Sequence, residues 1–195
     1  LQALCFGTCR HYFSLNALAK MLLNKPLREN ASEVHSLICV GLFQLAYSEI
    51  SPHAAINETV EACEQLGHGN LKSLVNAILR RFQREQTELM ESLEQSDVPK
   101  YEHPKWLIKR LKQDWPEQWQ TILEHGNTHP PLTLRVNTHK LDRSDYLLAL
   151  KNQTLEAENT PLSSVGLTLR QAVSVAQLPN FDQGHVSVQD EIGRA

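Results

Sequence analysis

Basic side chains recur at helical spacing in the segment 70–84, and their chemistry suits phosphate binding. The line runs through Lys72, Asn76, Arg80 and Arg84, with Arg81 beside it. On a helix, residues four apart lie one above the other on the same face. The segment contains no acidic residue, although the chain carries a net charge of −3. The pattern is typical either of a solvated helix face or of a surface that displaces counterions from nucleic-acid phosphates.

A second basic cluster lies farther along, in the sequence PKWLIKRLKQDW that begins at Pro104. Five basic residues and one acid fall between Lys100 and Lys112. Nucleic-acid binders combine such cations with planar groups that stack on unpaired bases. Three tryptophans occur here, and their helical positions favour burial in a core over exposure as stacking platforms. They are Trp106, Trp115 and Trp119.

The residues needed for several other chemistries are missing or wrongly spaced. There is no phosphate-binding loop and no Gly-x-Ser-x-Gly motif, and Gly67-His68-Gly69 falls between two predicted helices. The 9 histidines show no metal-ligating spacing. The cysteines lack the paired spacing of a zinc site, so we predict no metal and expect small, buried, reduced thiols. They are Cys5, Cys9, Cys39 and Cys63.

Length and composition indicate an ordinary globular protein. The 195 residues are 41% hydrophobic and 21% charged, enough for one large or two small domains. No apolar run reaches the roughly 18 residues of a membrane span, and no signal pattern begins the chain. We expect a cytoplasmic protein without a membrane partner. Because the sequence starts inside a predicted helix, we also expect it to be a piece of a longer chain.

Apolar residues at helical spacing predict a bundle in the first half of the chain. One helix is predicted over residues 3–23. Another is predicted over residues 32–47, and it is apolar on most sides, which is typical of the central helix of a bundle. Gly41 in this central helix would allow another helix to approach closely.

Two further helices are predicted on either side of a tight turn at Gly67. Ser51 and Pro52 have the residue types of an N-cap and a first helical position, and Gly67 suits a left-handed C-terminal cap. The second of these helices carries the basic line, and an acidic continuation along the surface is expected after Arg84.

Alternating apolar and polar residues predict three short strands in the second half, over residues 132–137, 166–170 and 185–189. Asp142 is expected to cap a helix between the first two. The predicted fold class is therefore mainly α, with a helical bundle followed by a small α+β domain.

We place the domain boundaries where the composition changes. Residues 1–95 are expected to form the bundle, 96–103 a linker, and 104–190 the small α+β domain. Residues 191–195 are expected to start a further domain.

Several short motifs stand in order along nearly the whole chain. They are Cys5-Phe6-Gly7 with Arg10, Val40-Gly41-Leu42-Phe43-Gln44-Leu45, Pro52-His53-Ala54-Ala55, the segment from Asn76 to Phe82, His103-Pro104-x-Trp106-Leu107, Pro116-Glu117-Gln118-Trp119, Leu134-Arg135-Val136-Asn137 and Val188-Gln189-Asp190. Together they resemble the bacterial cytosine-C5 methyltransferases of small-subunit ribosomal RNA, and the first part resembles NusB-like RNA-binding domains.

The resemblance implies that residues 1–95 are a NusB-like bundle without its first helix or two. It also implies that a doubly wound catalytic domain binding S-adenosylmethionine follows this chain. In that family a cysteine thiolate adds to C6 of a cytosine, C5 takes the methyl group, and a second cysteine assists release. The base must first leave the helical stack. The resemblance places the family's glycine-rich cofactor loop and its two active-site cysteines outside this chain, so we predict no catalytic residue, no bound cofactor and an inactive fragment.

The partner implied by the resemblance is 16S ribosomal RNA, and no DNA partner is expected. The predicted RNA-binding residues are Arg10, Lys72, Arg80, Arg81, Arg84, Lys105, Lys109, Arg110 and Arg135. For Arg81, a partly buried structural role is the alternative. The competing function is a NusB-like adaptor of the antitermination type. The segment from Pro104 onward disfavours it, because such adaptors end near the bundle. A purely structural domain is the third alternative.

Overall fold

The computed structural model describes residues 1–128 and 130–190, apart from the side chain of Glu29. The chain divides into two compact units, Leu1–Thr128 and His129–Ala195. The first is helical and the second contains an antiparallel sheet, which confirms the predicted fold class. The expected start of a further domain, residues 191–195, lies outside the described residues. No helix in the described part of the chain is long and apolar enough to cross a membrane.

The first unit contains the helices α1 Gln2–Arg10, α2 Tyr12–Leu22, α3 Ser32–Tyr47, α4 Pro52–Gln65, α5 Lys72–Leu93, α6 Asp97–Tyr101, α7 Lys105–Asp114 and α8 Trp119–Asn127. Its main core joins α2, α3, α4 and α5 through fully buried side chains such as Leu18, Ile38, Ile56 and Leu79. The core forms because each helix carries apolar residues three and four apart.

The central position predicted for α3 is confirmed. Gly41 lies where α3 meets its neighbours, and a Cβ atom there would stand 2.9 Å from Leu79 Cδ2 and 3.0 Å from Thr59 Cγ2. The glycine is therefore required for the close packing of α3 against α4 and α5.

The predicted caps of α4 are also confirmed. Ser51 Oγ accepts a hydrogen bond from the Ala54 N–H at 3.4 Å, and Pro52 is the first helical residue. Gly67 has a φ of 81°, and its N–H donates to the Glu64 carbonyl at 2.8 Å. The next N–H, that of His68, donates to the carbonyl of residue 63 at 3.0 Å, which completes a Schellman cap.

The single helix predicted over residues 3–23 is wrong, because the chain breaks at His11 into α1 and α2. The carboxylate of Glu102 accepts hydrogen bonds from the N–H groups of Phe13 and Ser14 at 3.0 and 3.1 Å. These are first-turn donors of α2, so a distant side chain acts as its N-terminal cap.

Residues 96–103, expected to be a linker, contain helix α6 with Pro99 and Tyr101 buried. Tyr101 forms a small second core with Ile108 of α7 and Leu123 of α8. The structure consequently groups α6, α7 and α8 with the bundle, and the compact units divide after Thr128 instead of near residue 104.

The described part of the second unit, residues 130–190, is a four-stranded antiparallel sheet with one α-helix. Its elements are β1 Leu132–Val136, α9 Arg143–Asn152, β2 Ala157–Asn159, β3 Gly166–Leu169 and β4 Val186–Val188. The strand order is β2-β3-β1-β4. The three predicted strands are confirmed, with Leu134 of β1 paired to Leu167 of β3 and to Val188 of β4. The short edge strand β2 was not predicted because it offers only three residues and no apolar alternation.

Helix α9 covers one face of this sheet. Tyr146 and Leu150 of α9 are fully buried together with Leu134 and Leu167. The Tyr146 hydroxyl donates a hydrogen bond to the Pro179 carbonyl at 2.9 Å, and burial raises the pKa of Tyr146 to about 12. Asp142 stands at the N-cap position of α9, as expected, but its side chain makes no capping hydrogen bond.

Candidate nucleic-acid interface

Helix α5 presents the predicted basic line away from the core. Its buried side carries Val75, Ile78, Leu79 and Phe82. Because of the helical period, the residues of the line fall on the other side, where none is buried. The basic residues of the line differ in whether a carboxylate lies within ion-pair distance.

Lys72 forms ion pairs with two carboxylates of α4. Its Nζ lies 3.2 Å from Glu61 Oε2 and closer still to Glu64 Oε2. The hydrogen bond to Glu64, followed by that to Glu61, raises the pKa of Lys72 above its usual range. Lys72 is thus charged but already paired, which leaves little net positive potential at the start of the line.

Arg81 is also paired. Its Nε lies 2.8 Å from Glu85 Oε2, and both side chains are part-exposed. Glu85 is the residue at which α5 departs from helical geometry, with φ −107° and ψ 16°. The predicted RNA contact and the predicted structural role of Arg81 are both compatible with this geometry.

Arg80 and Arg84 differ from these two. Among the described side chains, neither has a carboxylate at ion-pair distance, and Arg84 is exposed. They lie four residues apart on α5. This pair is therefore the part of the line that makes no ion pair among the described residues.

Arg10 and the cations of α7 likewise divide into cations that form an ion pair and cations that do not. Arg10 is exposed in the last turn of α1. Arg110 pairs with Asp114 at 2.6 Å, whereas Lys105 and Lys109 are exposed and have no acidic partner among the described residues.

The expectation that the three tryptophans belong to a core is wrong for two of them. Trp106 is 70% exposed and Trp115 is 53% exposed. Only Trp119 packs, edge-on against Tyr101 at 5.1 Å and beneath Lys112 Nζ at 4.3 Å. Ile108 is the buried residue of α7. The helix is short, and the aromatic rings on its other sides stay exposed.

Arg135 belongs to the second unit. It is the exposed residue of β1, between the buried Leu134 and Val136, and it stands opposite Gly166 of β3 and Ser187 of β4. Its guanidinium group is thus presented on the face of the sheet that α9 does not cover.

The first unit also contains a basic groove that the sequence alone does not predict. The groove, of about 970 Å³, lies between the α2–α3 connection, the α4–α5 turn and α5. Leucine and isoleucine side chains such as Leu71 and Ile78 line it, and the described cations at its edge are Lys25, Arg28 and Arg81. The sequence alone does not predict a role for Lys25 or Arg28, because their spacing along the chain gives no helical signal.

The cysteines do not form a reactive or metal-binding set. Cys39 and Cys63 are buried as expected, and burial raises both thiol pKa values, that of Cys39 to about 11. Cys5 and Cys9 are exposed, so the expectation of burial is wrong for them. The described residues contain no group of three potential metal ligands.

The described residues also do not suit S-adenosylmethionine. Their sheet is antiparallel throughout, and no strand in it leads through a glycine-rich loop into a helix, as in doubly wound cofactor-binding folds. We therefore assign no step of methyl transfer to residues of this chain.

Comparison with known proteins agrees with the two-part architecture. Residues 1–84 match the NusB family, and residues 103–176 match the RsmF/B-like methyltransferase ferredoxin-like domain. The second match begins near the boundary expected at residue 104. The crystal structure of PH0851 shares the fold, with a TM-score of 0.60 over 93% of this chain and 43% of that chain, at 15% identity.

The chain is thus similar to a NusB-family domain followed by a ferredoxin-like domain of the RsmF/B methyltransferase type. It is a homologue of proteins named ribosomal RNA small subunit methyltransferase B, which confirms the resemblance of its motifs. The Pseudomonas syringae protein is 45% identical over 97% of this chain, and the Vibrio vulnificus protein is 43% identical over 97%. The chain spans 42% and 45% of the length of these two relatives.

Proposed function

We propose that this chain is the RNA-binding and substrate-orienting N-terminal region of a cytoplasmic, S-adenosylmethionine-dependent methyltransferase that modifies a cytosine C5 of 16S ribosomal RNA. The observation that carries the proposal is the 45% identity, over 97% of the chain, to a protein named for small-subunit ribosomal RNA methylation. The methyl donor and the active-site cysteines belong, in this proposal, to the remainder of the longer protein.

The charge distribution supports a role in holding RNA. Two sets of cations make no ion pair among the described residues, Arg80 with Arg84 on one helix face and Lys105 with Lys109 on another. Unpaired cations replace the counterions of phosphates without first breaking an ion pair. The match of residues 103–176 to an RsmF/B-like domain favours the methyltransferase role over the antitermination adaptor.

Charge reversal on α5 tests the proposal. The double variant Arg80→Glu/Arg84→Glu is expected to weaken binding of a small-subunit ribosomal RNA hairpin at least about tenfold. It should also reduce the slope of log affinity against log salt by about 1.4, since each single-strand phosphate contact contributes about 0.7. Circular dichroism checks that the helices are retained.

A matched double variant, Lys20→Glu/Lys151→Glu, changes two exposed lysines outside the predicted set. It alters the net charge equally and is expected to keep the affinity within about twofold of the unsubstituted chain, because neither lysine belongs to the predicted RNA-binding set. Equal affinity of both double variants and the unsubstituted chain would remove α5 from the proposed RNA surface.

A further inference from the structure

Trp106 is an uncovered indole on a short helix. Its side chain is 70% exposed, while Ile108, two residues on, is only 4% exposed. Two residues correspond to about 200° of rotation around a helix, so Trp106 lies on roughly the opposite side from the core. Among the described residues, no aromatic ring or cation covers the Trp106 indole. Its π face is therefore accessible to a ligand.

Two unpaired ammonium groups accompany this indole. Lys105 precedes Trp106 directly, and Lys109 lies three residues after it, which on a helix is a neighbouring position. Both lysines are exposed, and neither has a carboxylate at ion-pair distance in the described part of the chain. The other two cations of α7 are occupied, Arg110 by Asp114 and Lys112 by Asp97, each at 2.6 Å.

We propose that Trp106, Lys105 and Lys109 form a stacking platform for one unpaired nucleotide of single-stranded RNA. The proposal deepens the RNA-binding function proposed above and rests on it. An unstacked base has a π face that packs on indole, and the phosphates on either side accept contacts from ammonium groups. Duplex RNA cannot use such a platform, because its bases are already stacked on each other.

The combination of chemistry selects RNA over a protein partner. A tryptophan buried in a protein contact is usually surrounded by other apolar side chains. Here the neighbours along the exposed side of α7 are the two free lysines, and their charge complements phosphate. A methyltransferase that flips its target base leaves unpaired nucleotides near the site of modification, and these are the ligands that the platform would hold.

Trp115 supplies an internal control. It is also exposed, at 53%, but it directly follows Asp114 and lies two residues before Glu117. Asp114 is paired with Arg110, but Glu117 makes no ion pair among the described residues, and an unpaired carboxylate repels phosphate. We therefore expect no nucleotide at Trp115. The two tryptophans differ in their charged neighbours and not in their chemistry.

Fluorescence tests the platform directly. In the variant Trp115→Phe/Trp119→Phe, Trp106 is the only indole, and stacking of a base should quench its emission. A short single-stranded oligoribonucleotide is expected to quench this emission. The midpoint should equal that of a fluorescence-anisotropy titration of the same oligoribonucleotide with the chain. A duplex of the same sequence is expected to leave the emission unchanged.

Affinity measurements separate stacking from charge. Trp106→Ala is expected to bind the oligoribonucleotide about 5- to 150-fold more weakly, with an unchanged salt slope, because stacking releases no counterion. Trp106→Phe should restore part of the loss. Trp115→Ala should bind like the unsubstituted chain, and Lys105→Ala/Lys109→Ala should lower the salt slope by about 1.4.

The outcomes distinguish the platform from the wider function. If the unsubstituted chain binds RNA and Trp106→Ala binds it equally well, the platform is refuted while RNA binding stands, and the indole then belongs to a protein contact. If the unsubstituted chain binds no RNA, the proposed function fails and the platform fails with it. Because Trp106 is mostly exposed, its replacement should leave the melting temperature unchanged.

Discussion

The carboxylate of Glu102 accepts a hydrogen bond from the backbone N–H of Ser14, at 3.1 Å, across 88 positions of the chain. It accepts a second from the N–H of Phe13, and its other oxygen lies 3.6 Å from His11 Nδ1. Glu102 has a φ of 54°, and its side chain is 8% exposed. The residue directly after α6 thus holds the start of α2, which ties α6 to the bundle.

Replacing this cap should destabilise the first unit. Glu102→Ala is expected to lower the free energy of unfolding by about 1–2 kcal/mol, because two first-turn N–H groups of α2 lose their acceptor. Glu102→Gln keeps one oxygen acceptor and should cost less. Urea unfolding followed by circular dichroism measures both. Glu117→Ala, which removes an exposed carboxylate, is the control, and an equal midpoint for Glu102→Ala and this control would show that the cap contributes nothing.

Gly41 should tolerate no side chain. Gly41→Ala places a Cβ atom 2.9 Å from Leu79 Cδ2, and Leu79 is fully buried, so the side chain must shift within the packed core. Overpacking of this kind costs about 1–3 kcal/mol, and thermal unfolding should show it as a lower melting temperature. Gly69→Ala is the matched control, since its nearest neighbour would be Glu64 Cγ at an ordinary 3.8 Å. A melting temperature for Gly41→Ala as high as that of the control would contradict the close helix packing.

Tyr146 should make the second unit sensitive to alkali. Burial raises the pKa of Tyr146 from its usual 10.0 to about 12, so the protonated form is favoured in the folded state. Its contribution to stability is complete below pH 10.0 and is lost as the pH rises towards about 12.

A comparison with Tyr146→Phe checks this pH dependence. At neutral pH the substitution should cost about 1 kcal/mol, because the Pro179 carbonyl loses its donor. The difference from the unsubstituted chain should shrink across the alkaline range, as the tyrosine must then bury a charge or unfold. Tyr12→Phe, at an exposed position, should leave the alkaline limb of the stability curve unchanged. A constant difference at all pH values would refute the assignment.

Local patterns predicted much of this fold because the determinants are local. The apolar stripe of α5, the cap at Ser51 and the left-handed glycine at Gly67 each depend on residues within two helical turns. The strands around Leu134 and Leu167 were likewise visible as alternation. In these regions the sequence period and the buried face coincide.

The errors arise where distant residues decide the outcome. The break at His11 depends on Glu102, and α6 forms because Tyr101 finds Ile108 and Leu123. The candidate site has the same limit. The helical line of cations was predictable, but the pairing of Lys72 by acids on another helix was not. The exposure of Trp106 was not predictable either, because it depends on which side of the short helix α7 packs against the core.

The central claim is that this chain recognises small-subunit ribosomal RNA itself. The most direct measurement is a fluorescence-anisotropy titration of the 195-residue chain with a small-subunit ribosomal RNA hairpin and a scrambled control, repeated across a salt series. We predict tighter binding of the hairpin and an affinity that falls steeply with salt, because phosphate contacts release counterions. Absence of binding at low salt, or equal affinity for both RNAs, would contradict the claim.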